Sequence, residues 1–125
     1  MAESFDVHVL VLNLVAAFSG ATEVPLAQLA TGGGGATVIG AAVVGPSAGT
    51  TIGGKLVTMS NLGTPAINGT IGAFAGTVVT AAGVPGALTI TDGFVEAGEW
   101  IGFDQTSGTV PAGTLISLSY VMGKG

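Results

Sequence analysis

The stretch T-L-I-S-L-S-Y-V-M at residues 114–122 decides the fold class. Its apolar residues Ile116, Leu118, Tyr120 and Met122 occupy every second position, with serines between the first three. A period of two is what a β-strand with one buried face produces, whereas the period of an α-helix is 3.6 residues. The stretch therefore predicts a half-buried β-strand over 114–122.

Upstream of this strand the chain repeats one theme, a short β-rich run followed by a turn signal. Leu88 and Ile90, for example, alternate with threonines. Asn68-Gly69, a pair typical of tight hairpins, is predicted to be one of the turns. We predict strands at 36–44, 55–60, 70–74, 77–80, 87–91, 94–105 and 114–122. Short strands with turn signals every ~8–12 residues indicate an all-β fold, an antiparallel sandwich or jelly-roll.

The most apolar stretch of the chain, residues 7–21, is too short for a membrane-spanning helix, which needs ~20 apolar residues. A signal peptide is the alternative, but its apolar region should follow Lys or Arg, and here Glu3 and Asp6 precede it. We predict instead a strand over 5–15, because β-branched valines alternate along it. We expect no membrane association.

From Leu10 onward this N-terminal strand is apolar on both faces, so both faces must be covered. In a chain of 125 residues, another subunit can supply the second cover. The segment from Pro25 to Ala30 is compatible with either one helical turn or an extended arm. The glycines at 32–35 suit a linker or a hairpin tip. They divide the chain into an N-terminal strand and Gly-rich arm (1–35) and a β-sandwich body (36–125).

The composition argues against several classes of function. Charged residues make up 7% of the chain, against ~25% in an ordinary domain. The 2 basic residues are both Lys, which argues against binding nucleic acid phosphates. There is no Cys and a single His, so thiolate metal sites are excluded and His-dependent catalysis is disfavoured. Strand faces rich in Thr, Ser, Ala and Gly are neutral, and we expect them to be covered in a homo-oligomer or a stable complex.

Two glycine motifs match nucleotide-binding or hydrolase signatures but fail at neighbouring residues. Gly49 to Lys55 has the spacing of a phosphate-binding loop, but Leu56 stands where Ser or Thr should hold magnesium, and it starts a β-rich run. Residues 45–49 read G-x-S-x-G, but a hydrolase of this type needs a His after the Ser, and His8 precedes it. We therefore predict no catalytic residue and no cofactor site.

Four acidic residues fall within one window of the chain: Asp92, Glu96, Glu99 and Asp104. Carboxylate oxygens can bind calcium, and paired carboxylates can hydrolyse glycosides. Trp100, next to Glu99, can stack on a sugar. No known motif spacing supports these roles, so we interpret the acids as solvated hairpin tips, with a metal or glycan site as the alternative.

The C-terminal run contains V-x-A-G-x-W at 95–100 and P-A-G-T-L at 111–115, which leads into the last strand. This pattern, spread over roughly the last 35–40 residues, resembles small structural proteins of tailed bacteriophages. The resemblance implies a β-sandwich or jelly-roll that decorates the capsid, often as a homotrimer. It also implies the major capsid protein as partner and the outer capsid surface of the virion as location. It implies no particular site residues, because such proteins act through surfaces.

We accordingly predict a non-enzymatic capsid decoration (cement) protein that bridges major capsid subunits, with no cofactor, no metal and no nucleic acid or membrane partner. The alternative is a receptor- or glycan-binding module of a phage fibre, or a secreted lectin-like domain. A carboxylate glycosidase that uses Glu96 and Glu99 is a third hypothesis. The candidate interface residues are Phe5, Val7, Val9, Leu10, Leu12, Leu14, Trp100 and Tyr120.

Overall fold

A computed structural model of the chain describes residues 6–14, 18–19, 23–30, 32–45, 50–60, 66–73, 78–80, 86–110 and 112–123. Within these residues all regular structure is β, without any helix. The strands are β1 (His8–Leu14), β2 (Phe18–Ser19), β3 (Glu23–Ala27), β4 (Ala36–Val44), β5 (Thr50–Met59), β6 (Ile67–Ala73), β7 (Val78–Thr80), β8 (Gly86–Ala87), β9 (Thr89–Ile90), β10 (Phe94–Val95), β11 (Trp100–Val110) and β12 (Thr114–Met122).

The strands form two antiparallel sheets. In the first sheet the order is β1-β12-β4-β10, and the short strand β8 also pairs with β4. In the second sheet the order is β2-β11-β5-β6-β9, with β3 also on β11 and β7 also on β5. The predicted fold class is therefore confirmed: the protein is all-β, with the two antiparallel sheets of a β-sandwich.

The core lies between the two sheets and is built from the inner face of each. The first sheet contributes Ile116 and Leu118, and the second contributes Leu56, Ile71 and Phe103; all five are at most 2% exposed. Complete burial of a Leu, Ile or Phe side chain stabilises a fold by about 1.5–3 kcal/mol. Packing therefore fixes the central strands of both sheets and determines which strand faces remain outside.

The residues before the glycine run supply strands to both sheets. β1 lies beside β12 in the first sheet, whereas β2 and β3 lie beside β11 in the second. β3 is extended, which confirms the extended alternative for this region rather than the helical turn. The glycines that follow form a turn with positive φ at Gly33 and Gly35. The N–H of Gly123 donates to the carbonyl of Gly35 at 2.8 Å, which ties this turn to the end of β12.

β4 and β12 have the predicted bounds, but the alternation of burial along β12 is interrupted near its end. β4 carries a bulge opposite the step from Ser119 to Tyr120, where Ile39 is the extra residue. Beyond this point Val121 is buried and Met122 is 47% exposed. A bulge adds local twist to the sheet, so a strict period of two does not hold across it.

The prediction of a hairpin turn at Asn68-Gly69 is wrong. Both residues lie inside β6, where Gly69 pairs with Thr58 of β5. The register between β5 and β6 shifts directly after Thr58, so the glycine stands at an irregular point of the ladder. A glycine at a strand irregularity leaves the same local sequence signal as a glycine in a hairpin turn.

Candidate protein-binding surface

The candidate site is the outer face of the first sheet. Leu10 pairs with Leu118 and packs against the core, whereas the adjacent Val9 pairs with Ser119 on the opposite face. Because side chains alternate along a strand, the same division holds for the neighbouring rows of β1, β12 and β4. We call the outward residues of these strands, together with Val7 directly before β1, the neutral face. Its residues are Val7, Val9, Val11, Asn13, Ile39, Gly40, Ala42, Val44, Leu115, Ser117 and Ser119.

The large hydrophobic side chains of the neutral face are more exposed to water than the folding of a single chain favours. Val7, Val9, Val11 and Ile39 are 56%, 66%, 55% and 51% exposed. They are most of the exposed large hydrophobic side chains in the described part of the chain. Covering one such valine with protein stabilises a complex by about 1 kcal/mol. Large exposed apolar side chains gathered on one face mark interaction sites on soluble proteins.

Charge is segregated away from this surface. The strands of the first sheet contain no Asp, Glu, Lys or Arg. The charged residues of the described part lie instead on the second sheet (Glu23, Lys55, Asp104) or in connecting segments (Asp6, Asp92, Glu96, Glu99). The cores of protein interfaces are depleted in charge, so the neutral face has the composition of an interface core.

The inner face of β1 fixes the strand that carries the exposed Val9 and Val11. Leu10, Leu12 and Leu14 are half-buried and pack against the core. At the start of the strand the ring of His8 stacks on the ring of Tyr120, with the centroids 5.2 Å apart and the planes 25° apart. The neutral face is therefore presented by a strand with a defined position rather than by a loose arm.

The predicted interface residues divide among three environments. Val7 and Val9 lie on the neutral face, whereas the leucines of β1 and Tyr120 pack on the core side of the same sheet. Trp100 lies on the second sheet, half-buried and directly opposite the buried Met59. Phe5 lies outside the described residues. The structure therefore brings together only part of the predicted set, and it adds Val11 and Ile39.

Two acidic residues of the 92–104 window, Asp92 and Glu99, accept local hydrogen bonds through their carboxylates. The Glu99 carboxylate accepts the N–H of Glu96 at 2.8 Å through Oε1 and the side-chain amide of Asn68 at 2.7 Å through Oε2. The Asp92 carboxylate accepts the N–H of Phe94 at 3.2 Å. Asp104 stands opposite Lys55 in the ladder between β11 and β5. No group of three or more His, Cys, Asp or Glu residues able to hold a metal occurs among the described residues.

A shallow open groove lies beside this window, lined by Gly33, Gly34, Phe94, Glu96 and Ala97. Trp100 does not line it, although the glycan hypothesis requires this ring beside the acids. Glu99 is already engaged as the acceptor of two hydrogen bonds. The turn at residues 96–99 is therefore held in place by the hydrogen bonds of Glu99, and we call it the braced turn. The described residues around it show no arrangement that favours a sugar-binding site.

One of the two glycine motifs lies mostly in a strand, and most of the other lies outside the described residues. Lys55 and Leu56 lie inside β5, which confirms that this run is a strand and not the start of a helix. A phosphate-binding loop needs the helix that follows it to hold the anion, so the motif lacks its structural context. Of the G-x-S-x-G match, residues 46–49 lie outside the described residues.

Comparisons of the chain with protein-family models, with curated proteins and with solved structures find no match. In the part of the chain that the structure describes, no helix has the length and hydropathy needed to span a bilayer. The fold defines the class, an all-β protein with two antiparallel sheets, and one of these sheets presents the neutral face.

Proposed function

We propose that this protein is a structural subunit of a tailed-phage head, a decoration protein that binds the outside of the capsid and bridges major capsid subunits. The observation that carries the proposal is the neutral face: four exposed large hydrophobic side chains on a sheet whose strands contain no charged residue. The resemblance of the C-terminal run directs the proposal to phage heads. The homotrimer and the jelly-roll arrangement that the resemblance implies stay predictions.

The mechanism is stabilisation of the assembled shell by binding. A protein that binds where two shell subunits meet, and only when they meet, stabilises the assembled state by mass action. Burial of the exposed parts of Val7, Val9, Val11 and Ile39 contributes about 3–4 kcal/mol at ~1 kcal/mol each. Such a contact is weak for a single site, but many copies on one shell act together through effective concentration.

The test adds purified protein to bare expanded capsids of its own phage and measures bound protein and the temperature at which the capsids disrupt. We expect the wild-type protein to bind and to raise the disruption temperature. Ile39→Lys, on the neutral face, should abolish both effects because docking would bury an unpaired charge. Ile67→Lys is the matched control, because Ile67 is also exposed but lies on the second sheet.

Two results contradict the proposal. One is a wild-type protein that leaves the disruption temperature of the capsids unchanged. The other is equal binding by the Ile39→Lys and Ile67→Lys variants, which would show that the neutral face is not the docking surface. Circular dichroism of both variants checks that each retains the all-β fold before the comparison is made.

A further inference from the structure

β1 is an edge strand with unusual properties. Among the described residues it pairs only with β12, so within this part of the chain no strand lies along the other side of its backbone. It is 7 residues long, contains no Pro and no charged residue, and keeps an unbroken register from His8 to Leu14. Natural proteins normally protect such edges with Pro, charge, bulges or short length, because an exposed edge pairs with other strands.

The other outer strands in the described part of the molecule have these protections. β8, β9 and β10 at the sheet margins are 2 residues each. β3 contains Pro25 and Glu23, and the pairing of β6 with β5 is interrupted by two register shifts. β2 and β7 are also short, with 2 and 3 residues, so β1 is the exception among the outer strands that the structure describes.

We propose that β1 pairs antiparallel with β1 of a second copy, so that the first sheets of two protomers join into one continuous sheet. The occupant is a second copy because the two identical edges satisfy each other about a two-fold axis, and the closed pair leaves neither edge exposed. The pairing uses the backbone edge of β1 rather than the neutral face, so it does not depend on capsid binding.

The side-chain pattern of β1 fits this pairing with Leu10 at the two-fold axis. Val9 then stands opposite Val11 of the second copy, and Val7 stands opposite Asn13, all on the neutral face. On the inner face, Leu12 stands opposite His8 of the second copy. Directly opposed residues of an antiparallel pair contact one another, and β-branched pairs are favourable there. The two neutral faces then lie on the same side and form one surface.

The charge distribution favours the same contact. Each copy has a net charge of −5, so the repulsion between two copies is smallest when they meet at an uncharged surface. β1 is uncharged along its whole length. In this register Asp6, the described acid nearest to β1 in the sequence, stands opposite Leu14 of the second copy. The two Asp6 residues are then about eight positions apart along the strand. The proposed contact therefore brings no like charges together.

The test is the mass of the free protein by light scattering over a wide concentration range, with paired charge variants. We expect the wild-type mass to rise from one chain to two. V9K/V11K places Lys opposite Lys twice and should raise the dimer dissociation constant by at least about tenfold. V9K/V11E places Lys opposite Glu twice and should restore the dimer. Ile39→Lys, on β4 and away from the edge, should leave the dimer unchanged.

Each other outcome overturns the proposal. These outcomes are a wild-type mass of one chain at every concentration, a mass of three chains, or equal dimerisation by wild type and V9K/V11K. Failure of V9K/V11E to restore the dimer overturns the register centred on Leu10. Hydrogen exchange gives a second measurement, because the β1 amides should become better protected as the concentration rises. Capsid binding is measured separately, so either proposal can fail while the other stands.

Discussion

Two single substitutions in the first sheet, Val9→Thr and Val43→Thr, test whether the neutral face is uncovered in the single chain. Val9 is 66% exposed on the outer face, whereas Val43 is 1% exposed in the core. Threonine keeps the β-branched shape of valine and replaces one methyl group by a hydroxyl. The two variants therefore make the same chemical change on opposite faces of one sheet.

The expected loss of unfolding free energy in each variant follows from how exposed the replaced side chain is. At Val43 the hydroxyl enters the core without water, and burial of a poorly satisfied hydroxyl costs about 1–3 kcal/mol. At Val9 the hydroxyl remains in water, so only the covered third of the side chain is affected. We expect the free energy of unfolding to fall by less than about 0.5 kcal/mol for Val9→Thr, because substitutions at exposed positions usually change stability by no more than about 0.5 kcal/mol.

Urea unfolding followed by tryptophan fluorescence measures both costs, because Trp100 is the single Trp and is half-buried. With a slope of about 1–2 kcal/mol per molar urea for a small domain, Val43→Thr should lower the midpoint by about 1 M. Val9→Thr should shift it by a few tenths molar at most. Measurements at low protein concentration keep the chain monomeric.

An equal loss of stability in the two variants would refute the reasoning. It would mean that Val9 is covered within a single chain, so that the neutral face is not available to any partner. A Val43→Thr variant as stable as the wild type would refute the assignment of the inner face. Wild-type unfolding at low and high concentration is the control, because a dimer alone would shift the midpoint with concentration.

Three further predictions concern packing, the braced turn and salt. Gly54→Ala should cost about 1–3 kcal/mol of unfolding free energy in urea melts, because the new Cβ would lie 2.6 Å from the carbonyl oxygen of Asp104. Gly40→Ala is its control and should cost less than about 0.5 kcal/mol, since its Cβ has ordinary space. Glu99→Ala should cost about 1 kcal/mol and Asn68→Ala less, because Glu99 accepts two hydrogen bonds and Asn68 makes one of them. Sedimentation should show self-association that strengthens with added salt, because salt screens the repulsion between two chains of charge −5; association that weakens with salt would indicate ion pairs instead.

Much of the fold could be predicted because the hydrophobic alternation of several strands is a local property. β4 and β12 match their predicted bounds, and Leu88 is buried between exposed residues as the alternation requires. The turn at Asn68-Gly69 could not be assigned correctly, because the same pair serves a bulged strand as well as a hairpin. Whether a glycine turns or bulges depends on the neighbouring strand, which a local pattern does not contain.

The candidate site was predictable only in part. The sequence placed Val7 and Val9 on one face of an N-terminal strand, but both faces of that strand are apolar. Asn13 shares the face of the valines and is exposed, and this polar residue was the available signal for the side that faces away from the core. Ile39 left no such signal, because its exposure accompanies a bulge of β4 that forms against β12.

Under the proposed function, the separation of charge from the neutral face has a consequence for the particle that the protein would coat. In the proposed docking through the neutral face, the exposed acids Asp92 and Glu96 of the connecting segments would remain available to water. A shell covered by many such copies would present an anionic coat at neutral pH, and particles with coats of like charge repel one another. The residue distribution that makes one side of the molecule adhesive would thus also give the finished particle its colloidal stability.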